Sequence, residues 1–137
     1  MTACLDPDHR FSGMPLMLAY CDGRTWMLRR SVAYRLADGR TATVRAPFAF
    51  DFASIPRMFW RVVGPPTGAG PGANYGIAAV WHDWLYRHKA IGGRPITRAT
   101  ADAVLLEIMR YTRVDAWRAW VIYWAVRAFG WAAWRGQ

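Results

Sequence analysis

Ala78-Ala79-Val80-Trp81-His82-Asp83-Trp84-Leu85-Tyr86 is an apolar helical run with a histidine and an aspartate side by side in its middle. A second polar stretch, Asp51-Phe52-Ala53-Ser54-Ile55-Pro56, lies upstream at the end of a strand. Strand signals precede these two stretches and helix signals follow them.

Upstream, residues 25–36 are rich in β-branched, aromatic and arginine residues, and Val32, Tyr34 and Leu36 alternate with Ala33 and Arg35. Asp38-Gly39 suits a type I′ turn. Residues 41–50 run back, with Ala42, Val44 and Ala46 opposite in phase to Thr43 and Arg45. Pro47 lacks an amide hydrogen and belongs at an edge or a bulge. Residues 14–20 form a short apolar strand closed by Asp22-Gly23, and residues 1–13 an irregular lead-in. Residues 14–50 therefore predict a small antiparallel sheet.

Downstream, residues 56–63 suit one or two helical turns, with Pro56 near the first helical position. Glycines and prolines make residues 64–72 a loop, a connector in the ordinary case and a flap in the other. Three helices follow. Asn74 can cap the first, which runs to about His88, and Gly92-Gly93-Arg94-Pro95 makes a turn. Thr97 or Thr100 can cap the second, where Ala101, Val104, Leu105, Ile108 and Met109 form one apolar stripe. Asp115 can cap the third, running to about Trp134.

The chain has 137 residues, enough for one domain with a modest core. Hydrophobic residues make up 54%, which argues against disorder away from the ends. The net charge is +9, and Lys89 is the sole lysine, so the charge is nearly all arginine. Such a surface attracts anions, nucleic acid and anionic lipid included, without specificity. Cys4 and Cys21 make neither a disulfide framework nor a metal site by spacing, so a reduced compartment is expected. The first eleven residues contain no apolar core of a signal peptide, so none is expected there.

Adjacent helical residues point roughly 100° apart, so His82 and Asp83 cannot form a mutually bonded dyad. Tyr86 lies one turn on, on the His82 face. In an antiparallel helix hairpin Asp102 can reach His82, fix its tautomer and leave the other nitrogen as a general base. The same pair can equally brace two helices. Asp51 suits a metal ligand, a turn cap or an arginine partner. Ser54 suits a nucleophile or, without a Gly-x-Ser-x-Gly elbow, a turn-holding hydroxyl. Asp51, Asp83 and His82 together would favour calcium, magnesium or manganese over structural zinc. His9 and His88 look incidental.

In the last helix Trp117, Trp120, Trp124, Trp131 and Trp134 recur at helical steps, with Arg127 filling the missing place. Ala119, Ile122, Ala125, Val126 and Phe129 lie opposite. Arg118 and Arg127 leave uncharged runs well short of the ~20 residues of a membrane span. Burial against the sheet is the ordinary outcome for such a helix. A protein-binding surface and a helix lying on a membrane are the alternatives, since tryptophan and arginine suit both.

Asp51-x-Ala53-Ser54-Ile55-Pro56, Trp60, Tyr75, Ala78-Ala79, His82-Asp83-x-Leu85-Tyr86 and Ala101-Asp102 together resemble a family of small phage and prophage proteins of unknown function. The likeness spans roughly residues 40–130 and departs at Phe50, where the family commonly has threonine. It implies a phage or prophage origin and no particular activity. His82-Asp83-x-x-Tyr86 followed by Ala101-Asp102 is also similar to the helix hairpin of secreted phospholipase A2. That likeness implies that His82 activates water, Asp83 binds calcium and Asp102 orients His82. No cysteines frame the hairpin here, and no glycine-rich calcium loop stands in the usual place unless residues 64–72 serve.

The expected fold is α+β: a small N-terminal antiparallel sheet followed by a three-helix C-terminal half. The leading functional expectation is a phage accessory or virion-associated protein that binds a phage or host protein, with Tyr86, Trp117, Trp120, Trp124, Arg127 and Trp131 as binding residues. The second is a metal-assisted hydrolase of lipid or cell envelope, with His82, Asp102 and Ser54 catalytic and Asp51 and Asp83 on the metal. The third, nucleic-acid binding, rests on charge alone.

Overall fold

The two long strands expected across residues 25–50 each break in the middle and serve two small sheets. The computed structural model describes residues 8–20, 25–51, 55, 57–66 and 72–136. In it β1 (Phe11–Ser12), β2 (Leu18–Tyr20), β3 (Trp26–Leu28), β4 (Val32–Arg35), β5 (Thr41–Val44) and β6 (Phe48–Phe50) form two antiparallel three-stranded sheets, ordered β1-β4-β5 and β2-β3-β6. The break between β5 and β6 falls at Ala46-Pro47, where the missing amide hydrogen of Pro47 interrupts a ladder. The Ala46 amide donates instead to Ser31 Oγ at 2.9 Å, which ties the two bends together.

The β4–β5 connection is not the expected type I′ turn. Leu36 N–H bonds the Arg40 carbonyl, and Gly39 N–H bonds the Leu36 carbonyl. That leaves a three-residue loop, with Gly39 in the left-handed region at φ 93°.

The helical half begins with a 3-10 turn (Arg57–Phe59) running into α1 (Trp60–Val63). Next come α2 (Gly76–His88), the hairpin β7 (Ala90–Ile91) and β8 (Arg94–Pro95), and α3 (Arg98–Tyr111). Asn74 Oδ1 accepts from the Gly76 amide, and Thr97 Oγ1 caps α3 through the Thr100 amide. The expected third helix divides at Gly130 into α4 (Ala116–Phe129) and α5 (Trp131–Arg135). Asp115 stands at the start of α4 but makes no side-chain cap, because its carboxylate is paired with Arg118 at 2.5 Å.

The central element is α2, whose residues Ala78 to Asp83, Leu85 and Tyr86 are all buried. A helix apolar almost all round can be stable in water only when covered on most sides. Here α3 covers one side and the β5 and β6 strands another. Trp81 bonds the Ala42 carbonyl of β5 through its indole nitrogen at 3.0 Å, and its ring meets Phe11 and Tyr34. The stripe Ala101, Val104, Leu105, Ile108 and Met109 is buried as its spacing predicts.

Candidate functional site

Asp102 sits in the first turns of α3 with no solvent exposure, and four side chains from three helices converge on it. His82 Nε2 lies 2.7 Å from Oδ1, and the Tyr86 hydroxyl donates to the same oxygen at 2.6 Å. Both come from one face of α2, as residues four apart must. On Oδ2 the Arg127 guanidinium of α4 donates at 2.9 Å, and Arg98, one turn before Asp102, stands at 3.4 Å. Arg98 also donates to the Val126 and Arg127 carbonyls at 2.8 and 3.1 Å. It thereby satisfies acceptors that the end of α4 leaves open.

Burial pushes the Asp102 carboxyl up, but hydrogen bonds from His82, Tyr86 and Arg127 outweigh it and hold the group below the usual carboxylate range. Against an ionised carboxylate Nε2 of His82 carries the proton, which fixes the tautomer. Burial, then the bond to Asp102, raises the Tyr86 phenol well above its ordinary value. The arrangement holds one carboxylate ionised inside the protein. It brings α2, α3 and α4 to a single point.

The other expected site residues lie apart from this point or outside the described residues. Asp83 is buried, 9% exposed, and as the next residue after His82 it leaves α2 roughly 100° around the helix from it. Asp51 is exposed just beyond β6. Ser54 lies outside the described residues. Among the described residues, no three His, Cys, Asp or Glu side chains come together to hold a metal ion. The spacing of Asp51, His82 and Asp83 left such a cluster open, but His82 turns its Nε2 to Asp102 instead. Arg127 leaves the tryptophan stripe and reaches inward to Asp102. Arg98 was missed in the sequence, although a basic residue one turn before an aspartate is a recognisable pairing.

Gly130 completes the cluster. A Cβ there would stand 2.5 Å from the Tyr86 hydroxyl oxygen and 2.5 Å from the Val126 carbonyl oxygen. Only glycine lets the α4–α5 junction approach Tyr86 so closely.

A second feature lies on the opposite side of α4. Ala119, Ile122, Ala125 and Val126 face the core, and the tryptophans face out. Trp117, Trp120, Trp124 and Trp131 are 51%, 40%, 62% and 53% exposed. The ordinary expectation of burial against the sheet is thus reversed. Trp134 departs from the row to pack edge-on against Tyr86, and Phe129, expected on the inner side, is exposed. Beside the row a groove of about 420 Å³ runs between the 3-10 turn and α4, lined by Phe59, Trp120, Val121, Trp124, Ala125 and Phe129. Arg118 fixes this edge, donating to the Val63 carbonyl at 2.6 Å and the Gly72 carbonyl at 2.9 Å. Among the described residues no helix is long and apolar enough to cross a membrane.

A family model described as a protein of unknown function, DUF1353, matches residues 26–126, from the start of β3 almost to the end of α4. None of the curated proteins or solved structures matches the chain.

Proposed function

We propose, for a chain that belongs to the DUF1353 family of proteins of unknown function, that its work is binding through the outward tryptophan row of α4 and α5. The observation that carries this reading is the exposure of Trp117, Trp120, Trp124 and Trp131 on one face, away from the core. Monomeric proteins rarely leave a contiguous apolar patch in water unless something covers it. Tryptophan is also the side chain most enriched where binding energy concentrates. In this reading the Asp102 cluster is a brace that presents α4, since Arg127 and Arg98 anchor α4 from its inner side. The phage or prophage origin that the signature residues imply supports a partner among phage or host components.

Metal-assisted hydrolysis is the weaker reading. It needs water at His82, and His82 is 0% exposed. Its general-base role would use the ring nitrogen other than the one bonded to Asp102, which is sound chemistry only where a substrate can arrive.

The test is photo-crosslinking in producing cells. Benzoylphenylalanine at position 124 is expected to yield adducts, and the same group at exposed position 103 of α3 is not. Absence of adducts at position 124 would sink the reading.

A further inference from the structure

We infer that the surface covered by the tryptophan row is an anionic lipid bilayer, a conclusion that rests on the binding role proposed above. Three observations carry it. The first is shape. Trp117, Trp120, Trp124 and Trp131 follow one another at steps of three, four and seven residues, which keeps them on one side of the α4–α5 rod. Gly130 stays in right-handed helical geometry, so the row continues from α4 into α5. The row is roughly 21 Å long at 1.5 Å per residue. Four large rings projecting along a line are a poor match for a protein pocket. They suit a plane into which each ring can sink. Indole rings favour the headgroup level of a bilayer because they join a broad apolar body to one polar N–H.

The second observation is charge. Residues 57–63 and 116–136 contain five arginines and no aspartate or glutamate. Two of the five are already paired, Arg118 with Asp115 at the start of α4 and Arg127 with the buried Asp102, and the others are Arg57, Arg61 and Arg135. A face of this sign repels a second copy of a chain with net charge +9 and attracts phosphate.

The third is the way the charges are carried. Arg118, over the Trp117 ring at 4.6 Å, is already held by the Val63 and Gly72 carbonyls and Asp115, but Arg135 lies over Trp131 at 5.7 Å and Arg110 over Trp120 at 6.0 Å. Stacking holds these guanidinium groups near the level of the rings rather than extended into water. A bilayer surface presents its phosphates at the depth where indoles settle, and an arginine fork matches phosphate oxygens. Exposed Met58 and Val62, next to Arg57 and Arg61, widen the face beside the Phe59 groove.

The experiment is co-sedimentation of the full chain with vesicles of phosphatidylglycerol and phosphatidylcholine in equal parts, and with phosphatidylcholine alone. Tryptophan emission is followed in parallel with brominated acyl chains as contact quenchers. The expected result is binding to the mixed vesicles at least about tenfold tighter than to the neutral ones, weakened by salt. Quenching should be lost in the double variant Trp124→Ser, Trp131→Ser. Both side chains are more than half exposed, so circular dichroism of that variant should match the parent. Arg57→Gln with Arg61→Gln should weaken binding by about tenfold or more without altering the fold. Failure to sediment with the mixed vesicles overturns the inference, as does binding that the tryptophan variant leaves unchanged. Protein adducts from position 124 in cells, without vesicle binding, would overturn the lipid inference and leave the binding role standing. Absence of any adduct at position 124 would overturn both.

Discussion

The Tyr86 hydroxyl donates to Oδ1 of Asp102 at 2.6 Å and shares that oxygen with His82 Nε2 at 2.7 Å. Two donors from α2 on one oxygen, and two arginines from α3 and α4 on the other, make Asp102 the common acceptor of three helices. Removing it leaves donors and positive charge without a partner. Asp102→Ala should therefore cost about 3 kcal/mol, the lower end for a broken buried pair. The lower end applies because the Arg98 and Arg127 side chains keep 21% and 29% of their surface in water. Urea unfolding measures it, and a loss under about 1 kcal/mol would contradict the brace.

His82 separates bracing from catalysis. As a brace it contributes one charge-assisted bond and fills its place in the core, so His82→Ala should cost about 2–4 kcal/mol. A variant that keeps full thermal stability but loses a hydrolytic activity would reverse the ranking of the two readings.

The pH dependence follows from the shifts of Asp102 and the tyrosines. The folded Asp102 carboxyl titrates below its unfolded value, so its contribution is present above about pH 4 and lost as pH falls through the folded value. Tyr86, Tyr34 and Tyr75 behave in the opposite sense. Burial raises all three, so the stability tied to their neutral phenols is complete below about pH 10 and lost as pH rises beyond it. A flat stability plateau from about pH 5 to 9 is expected. In a variant with Tyr20, Tyr111 and Tyr123 replaced by phenylalanine, phenolate absorbance should appear together with loss of structure at the alkaline end. Phenolate absorbance growing in that variant without unfolding would show that the three remaining rings are open to water.

Much of this architecture can be read from spacing. The His82–Asp102 contact follows from a helix hairpin and two positions near its turn, and the α3 stripe follows from its period. The arginines on Oδ2 do not follow. Any of many arginines can satisfy a carboxylate, and the choice of Arg127 depends on how closely α4 approaches α3. The strands mislead for a different reason. Alternation continues across residues 25–36 whether or not the chain bends, so the crossing from one sheet to the other leaves no period signal. The last helix is apolar on both faces, and hydrophobicity alone cannot say which is inside. Size decides it, since Ala119 and Ala125 let α4 sit close and the tryptophans opposite are too large to do so.

That division of α4 predicts opposite outcomes for two tryptophans. Trp124→Ser removes a ring that is mostly in water and should change stability by no more than about 0.5 kcal/mol. Trp81→Ala empties a fully buried site and breaks the bond to Ala42, and should cost about 3–5 kcal/mol. Equal losses would mean that the tryptophan row is covered in solution, as in a self-associated form.

Gly130 provides the sharpest check on the packing. Its φ of −72° and ψ of −10° are right-handed helical, so backbone preference alone makes Gly130→Ala stabilising by up to about 1 kcal/mol. The Tyr86 hydroxyl and the Val126 carbonyl stand where the new methyl group would go. Overpacking at a braced junction costs about 1–3 kcal/mol, so the net change should be destabilising. Tyr86→Phe in the same chain removes the clashing hydroxyl together with its bond to Asp102. The two losses should therefore sum to less than additive, a coupling that a double-mutant cycle reads directly. A stabilising Gly130→Ala would mean that the α4–α5 junction does not press on Tyr86.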